Sequence, residues 1–133
     1  MLRKYTLCLA GLLGLILGGV GCGGPHRHTG YLGASWSIVD SRSGLQGDCQ
    51  WAGISEVEMA ARDVHTGEDH FFSFDCFAYQ GLSYPLLESD YAVALYGYAP
   101  TGELVGQGTW DVGVTFPVYW DSTTPVPGIV YVP

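Results

Sequence analysis

Tyr91-Ala92-Val93-Ala94-Leu95-Tyr96-Gly97-Tyr98 is the stretch on which the fold turns. Tyr91, Val93 and Leu95 fall on one face of an extended chain, and Ala92, Ala94, Tyr96 and Tyr98 fall on the other. A large apolar residue at every second position is the period of a half-buried β-strand, not of a helix. Ala99-Pro100-Thr101-Gly102 follows with turn chemistry, and Glu103 to Trp110 is expected to return as the hairpin partner.

Upstream the same period recurs. Leu32, Ala34, Trp36 and Ile38 alternate with Gly33, Ser35, Ser37 and Val39, which predicts another half-buried strand. Asp40 to Asp48 reads as a polar loop and Gln80 to Pro85 as a connection. Residues 54–64 read two ways. Val57, Met59 and Ala61 alternate as in a strand, whereas Ser55 with Glu58 would form a capping box for a helix. The turn-like His65-Thr66-Gly67-Glu68 and the strand-like run from Phe71 to Cys76 favour a hairpin. Downstream, Val112 to Trp120 is a strand interrupted by Pro117, which demotes it to an edge or bulged position. Residues 121–133, with Pro125, Pro127 and Pro133, read as an extended tail. The expectation is an all-β chain: a single antiparallel β-sandwich, Ig-like or transthyretin-like, over residues 31–120.

The N-terminus is of another kind. Arg3 and Lys4 precede an uncharged apolar stretch, Leu7 to Leu17, and then Gly18-Gly19-Val20-Gly21-Cys22. A basic start, an apolar middle and a small-residue exit make a secretory signal peptide over residues 1–21. The stretch is glycine-rich in its second half, which argues against a membrane-spanning anchor. Val20-Gly21-Cys22 resembles the lipobox of bacterial lipoproteins, in which the cysteine receives the lipid. Gly19 stands where that family usually has leucine, and Gly19 with Gly21 would also suit ordinary cleavage. Residues 22–30, rich in glycine and histidine, read as a flexible tether.

Cysteine parity bears on the choice. Of Cys8, Cys22, Cys49 and Cys76, the first leaves with the leader, and three is an awkward number in an oxidising compartment. Acylation of Cys22 would leave Cys49 and Cys76 as one disulfide, closing a loop of about 28 residues. Neither has a CxxC partner or a nearby histidine pair, so metal-binding thiols are disfavoured.

Gly33-Ala34-Ser35-Trp36-Ser37-Ile38, Cys49 ahead of Val57–Ala61, Phe74-Asp75-Cys76, Ser89-Asp90-Tyr91-Ala92-Val93 and the Pro100–Gly102 turn together form a layout. It resembles small bacterial lipoproteins with a transthyretin-like or carboxypeptidase-regulatory-like β-sandwich. The likeness covers about residues 31–110 and carries no catalytic signature. It implies that Tyr91 is a corner tyrosine whose hydroxyl bonds to backbone.

After the leader the chain holds three arginines and no lysine against thirteen acids. That balance excludes nucleic-acid partners and electrostatic attachment to anionic lipid, because both need cations. Among residues that carry chemistry, His26 and His28 lie in the tether, and His65 and His70 bracket Glu68 and Asp69. Neither group has the ligand spacing of a strong metal site, so no metal or other cofactor is expected. There is no GxSxG frame, and Glu56 with Glu58 reads as a solvated strand face. No enzyme is expected. Trp51, Tyr96, Tyr98, Trp110 and Trp120 lie near loops or on the less apolar faces and are the candidate ligand-binding aromatics.

The expected protein is therefore exported and lipid-anchored through Cys22 in a bacterial envelope, the outer membrane being the better fit to Gly23. Its β-sandwich would act as a structural or protein-interaction module. The alternative is a carbohydrate-binding module using exposed tryptophan and tyrosine against a polysaccharide.

Overall fold

The computed structural model describes residues 28–109 and 113–133. The expected leader, Cys22, His26 and the rest of the expected tether before His28, and Trp110, lie outside the described residues. The described chain is nearly all β. In order it runs β1 (Thr29–Asp40), β2 (Gln46–Gly47), α1 (Cys49–Ala52), β3 (Glu56–Asp63), β4 (Asp69–Asp75), a 3-10 turn (Cys76–Ala78), β5 (Gln80–Leu82), β6 (Leu86–Leu87), β7 (Ser89–Tyr98), β8 (Leu104–Thr109), β9 (Phe116–Val118) and β10 (Thr123–Val132).

The strands form a curled sheet in the order β2-β1-β10-β8-β7-β3-β4, with β5 and β6 also on β1 and β9 on β7. β3 lies between β4 and β7, pairing antiparallel with both through residues that alternate between core and surface. The hairpin reading of residues 54–75 holds, and the capping-box helix does not form. The two halves of the sheet meet at a thin seam, where the registered β8–β10 pair is Gln107 with Tyr131. Both halves turn their apolar faces to one core. It is built from Leu32, Ala34, Trp36 and Ile38 of β1, Val57, Met59 and Ala61 of β3, Tyr91, Val93 and Leu95 of β7, and Val126, Val130 and Val132 of β10.

Residues 121–133 are not a tail. Thr123–Val132 is a full strand, parallel to β1 from Tyr31↔Thr123 to Asp40↔Val132. This parallel pair also departs from the antiparallel expectation that the other pairs meet. The intervening domain serves as the crossover that a parallel pair requires. The prolines that suggested a tail are accommodated by register. Tyr31 N–H donates to Ser122 O and Ser41 N–H to Val132 O, so the even residues of β10 bond to β1. Pro125 and Pro127 are odd. Their missing N–H groups face away from β1, on the side where β8 pairs only further along, at Tyr131. The sheet accordingly extends beyond residues 31–120 at both ends, since Thr29 and Gly30 of the expected tether already belong to β1 and Thr123–Val132 forms β10. The strand expected over Val112 to Trp120 shrinks to Phe116–Val118, with Trp120 beyond it in a turn.

The seam depends on missing side chains. A Cβ on Gly108 would overlap the carbonyl oxygen of Ile129, and one on Gly106 would stand 2.9 Å from that of Tyr131. Backbone cannot swing aside as a flexible side chain does. Gly108→Ala is expected to cost about 1–3 kcal/mol or more by forcing β8 off β10. Urea unfolding checks this, and an unchanged midpoint would count against the seam.

Two local devices fix the ends of α1. Asp48 caps α1 by accepting from Trp51 N–H at 2.7 Å, and Gly53 ends it in the left-handed region at φ 71°. This places Cys49 in the core against Cys76, which opens the turn after β4, and the two form a disulfide.

Candidate functional site

The four candidate aromatics among the described residues do not converge on one site. Trp51 sits on α1, 54% exposed, with its ring over Gly47. Gly47 pairs with Ile38, near the end of β1, whereas Trp120 lies in the turn beside Thr29 and Gly30, at its start. Those β1 positions are about 25 Å apart at the rise of an extended strand. Tyr96 and Tyr98 share the outer face of β7, half-buried, and are the two that the fold brings together. Trp36, which the sequence assigns to the core, is 5% exposed and stacks on Phe74 at 5.9 Å.

The outer face of β3, β4 and β7 carries a shallow depression of about 320 Å³. Ala60, Ala92 and Ala94 form its floor, with Phe71 on one side and Tyr96 on the other. Arg62 forks onto Asp69, Nε to Oδ1 at 2.7 Å and the terminal nitrogen to Oδ2 at 3.0 Å. That hydrogen bonding raises the arginine and holds the carboxyl below its ordinary value. The pair is open to water and contributes orientation more than stability.

A second arrangement lies at the end where the described chain begins. Glu88 bridges two segments: its Oε1 is 3.1 Å from His28 Nδ1, and its Oε2 accepts Trp120 N–H at 3.0 Å. The His28 ring stacks on the Trp120 indole at 4.8 Å and 23°. Thr29 O accepts Asp121 N–H, closing the turn against β1. Leu87, Tyr119 and Trp120 are 41%, 61% and 63% exposed here. A depression of about 560 Å³ adjoins them, lined among others by Asp63, His65, Asp90, Pro117 and Tyr119. The histidines thought to bracket a loop-tip site go separate ways. His65 Nε2 meets Asp90 at 3.2 Å, while His70 approaches Glu68 at 3.5 Å and packs by Phe72 and Tyr91. Among the described residues no three His, Cys, Asp or Glu side chains are grouped to hold a metal ion.

Tyr91 anchors this end. Its hydroxyl donates to Leu87 O at 2.7 Å, the corner contact that the resemblance implied. Burial, with the Asp63 and Glu68 carboxylates nearby, pushes the phenol up to about 12, so it stays a donor at any physiological pH. Asp63 continues the buried face of β3. Burial pushes its carboxyl up, but the Ser89 hydroxyl at 2.8 Å and the His65 and Thr66 N–H groups outweigh burial and leave it below the ordinary value. A depressed carboxyl stabilises the fold above its unfolded value, and that contribution fades as pH falls through the folded one. Melting temperature should therefore drop below about pH 4, and Asp63→Asn should flatten part of the drop. Identical acid profiles for the two proteins would refute the assignment.

Sequence reasoning missed Leu87, Glu88 and Tyr119. The one local signal was Tyr119-Trp120 beside Asp121, a polar-flanked aromatic pair that cannot be buried whole.

No family model matches the chain, and no curated protein does. Among solved structures it is similar to a leucine-rich repeat protein from Bacteroides thetaiotaomicron VPI-5482, with a TM-score of 0.53 and 12% identity. The match covers 80% of this chain and 12% of that one, so this chain spans about an eighth of its neighbour's length. At that identity the likeness is one of fold alone.

Proposed function

We propose that this chain is an exported protein held on a bacterial membrane by a lipid on Cys22, and that its β-rich body works as a sandwich-like structural or protein-binding module. The carrying observation is the buried Cys49–Cys76 disulfide. With Cys8 removed in the leader, it leaves Cys22 as the thiol without a partner, at the position where acylation would consume it. A cross-link of this kind persists in oxidising compartments and is rare in the cytosol. The reading assigns the body no catalysis, and the outer membrane remains the expected destination. Intact-mass measurement of the mature protein, with alkynyl-palmitate labelling, tests it. The expected species begins at Cys22 and carries acyl chains, and labelling disappears in Cys22→Ser. A free Cys22 thiol, or a mature N-terminus elsewhere, overturns the reading.

The alaninyl floor between Phe71 and Tyr96 favours one second reading, a carbohydrate module that stacks a sugar ring on Tyr96. Titration with cell-wall polysaccharide should then quench tyrosine fluorescence in the native protein and not in Tyr96→Ala. The dispersal of Trp51 and Trp120 to opposite ends of β1 makes this the weaker of the two.

A further inference from the structure

The geometry points to Leu87, Tyr119 and Trp120 as the face that the domain lays on the bilayer carrying its own anchor, at the depth of zwitterionic headgroups. The inference rests on acylation of Cys22. His28 is six residues beyond Cys22 in the sequence. A chain of that length spans at most about 20 Å, so the end of the domain that carries His28 cannot leave the neighbourhood of the membrane. Trp51, near the far end of β1, is held about 25 Å further away.

At the near end three large side chains stay substantially open to solvent: Leu87, Tyr119 and Trp120. Their exposure is enforced by the fold. Glu88 fixes the Trp120 backbone, His28 covers one face of the indole, and Asp121 N–H ties the turn to Thr29. Tyrosine and tryptophan favour the membrane–water boundary, where an apolar ring is buried while its N–H or O–H stays wet. Placed there, the three residues remove apolar surface from water without any rearrangement of the domain.

Charge selects the kind of lipid. Glu88, Asp90 and Asp121 surround this face, and Arg62 is occupied by Asp69. The tether adds Arg27 against those carboxylates, so attraction to anionic lipid is not what seats the face. A zwitterionic surface, whose ammonium groups tolerate carboxylates, is the matching partner.

The test uses the full acylated protein reconstituted in phosphatidylcholine–phosphatidylethanolamine vesicles brominated near the headgroup. Flotation comes first. Protein that fails to float refutes the anchor reading, and this inference with it. For floating protein, tryptophan fluorescence should be quenched by the bromolipid, about half or more of the quenching should vanish in Trp120→Phe, and Trp51→Phe should retain it. Added phosphatidylglycerol should weaken the quenching. Quenching unchanged by Trp120→Phe, quenching lost in Trp51→Phe, or quenching that grows with anionic lipid would each overturn the inference while leaving the anchor standing. A face reserved for a protein partner would give the first of these results.

Discussion

Reduction of the Cys49–Cys76 disulfide is expected to lower the melting temperature by roughly 10–20 °C, the equivalent of about 3–4 kcal/mol in a domain of this size. The loop it closes contains β3 and β4 entire, the strands at the far end of the β8 side of the sheet. Without the covalent link, the unfolded chain regains the freedom of that loop, while the folded chain keeps both sulfurs buried. The bridge also organises its surroundings. Cys49 N–H donates to the Tyr79 hydroxyl at 3.1 Å, and the Cys76 carbonyl accepts from Trp36 at 3.1 Å. Thermal melts followed by near-ultraviolet circular dichroism, with and without reductant, measure the loss. Cys49→Ala with Cys76→Ala should reproduce it. A shift of a few degrees or less would mean that the loop is already restricted in the unfolded state.

The strands that the sequence reveals are those whose period is undisturbed. β1, β3 and β7 each bury one alternate set of residues, and those sets are the ones that alternation selects. β10 was illegible because Pro125 and Pro127 are turn signals read locally. Only the register with β1 shows that neither proline removes a ladder bond. α1 spans four residues, too few for any helical period to appear. The seam was equally hidden, since the glycines at 106 and 108 announce flexibility in a sequence and close packing in the fold. The aromatics show the same limit. Alternation along β1 assigns Trp36 to the core and leaves Trp120 outside it, but only tertiary closure shows which exposed aromatics share an end of the fold. The membrane-facing candidate gathers residues from positions 28, 87–88 and 119–120, which no local pattern connects.

Trp36→Ala is expected to cost about 3–5 kcal/mol, enough to unfold a domain of ordinary stability near physiological temperature. The indole is 5% exposed, lies against Phe74 and sends its Nε1–H to Cys76 O. It therefore joins β1 to β4 and to the turn bearing the disulfide, across sheet neighbours that share no direct pairing. Truncation opens a cavity at this junction and removes one of the two donors to the Cys76 carbonyl, which keeps the Tyr79 N–H. Trp36→Phe separates the two effects: it retains an aromatic ring against Phe74 and loses only the hydrogen bond and part of the volume, so a cost nearer 1–2 kcal/mol is expected. Because Trp36 and the disulfide brace the same turn, their losses should not add. Chemical denaturation of Trp36→Phe with and without the Cys49–Cys76 bond forms the cycle that reads the coupling. Strict additivity would show that the indole and the cross-link act on separate parts of the fold.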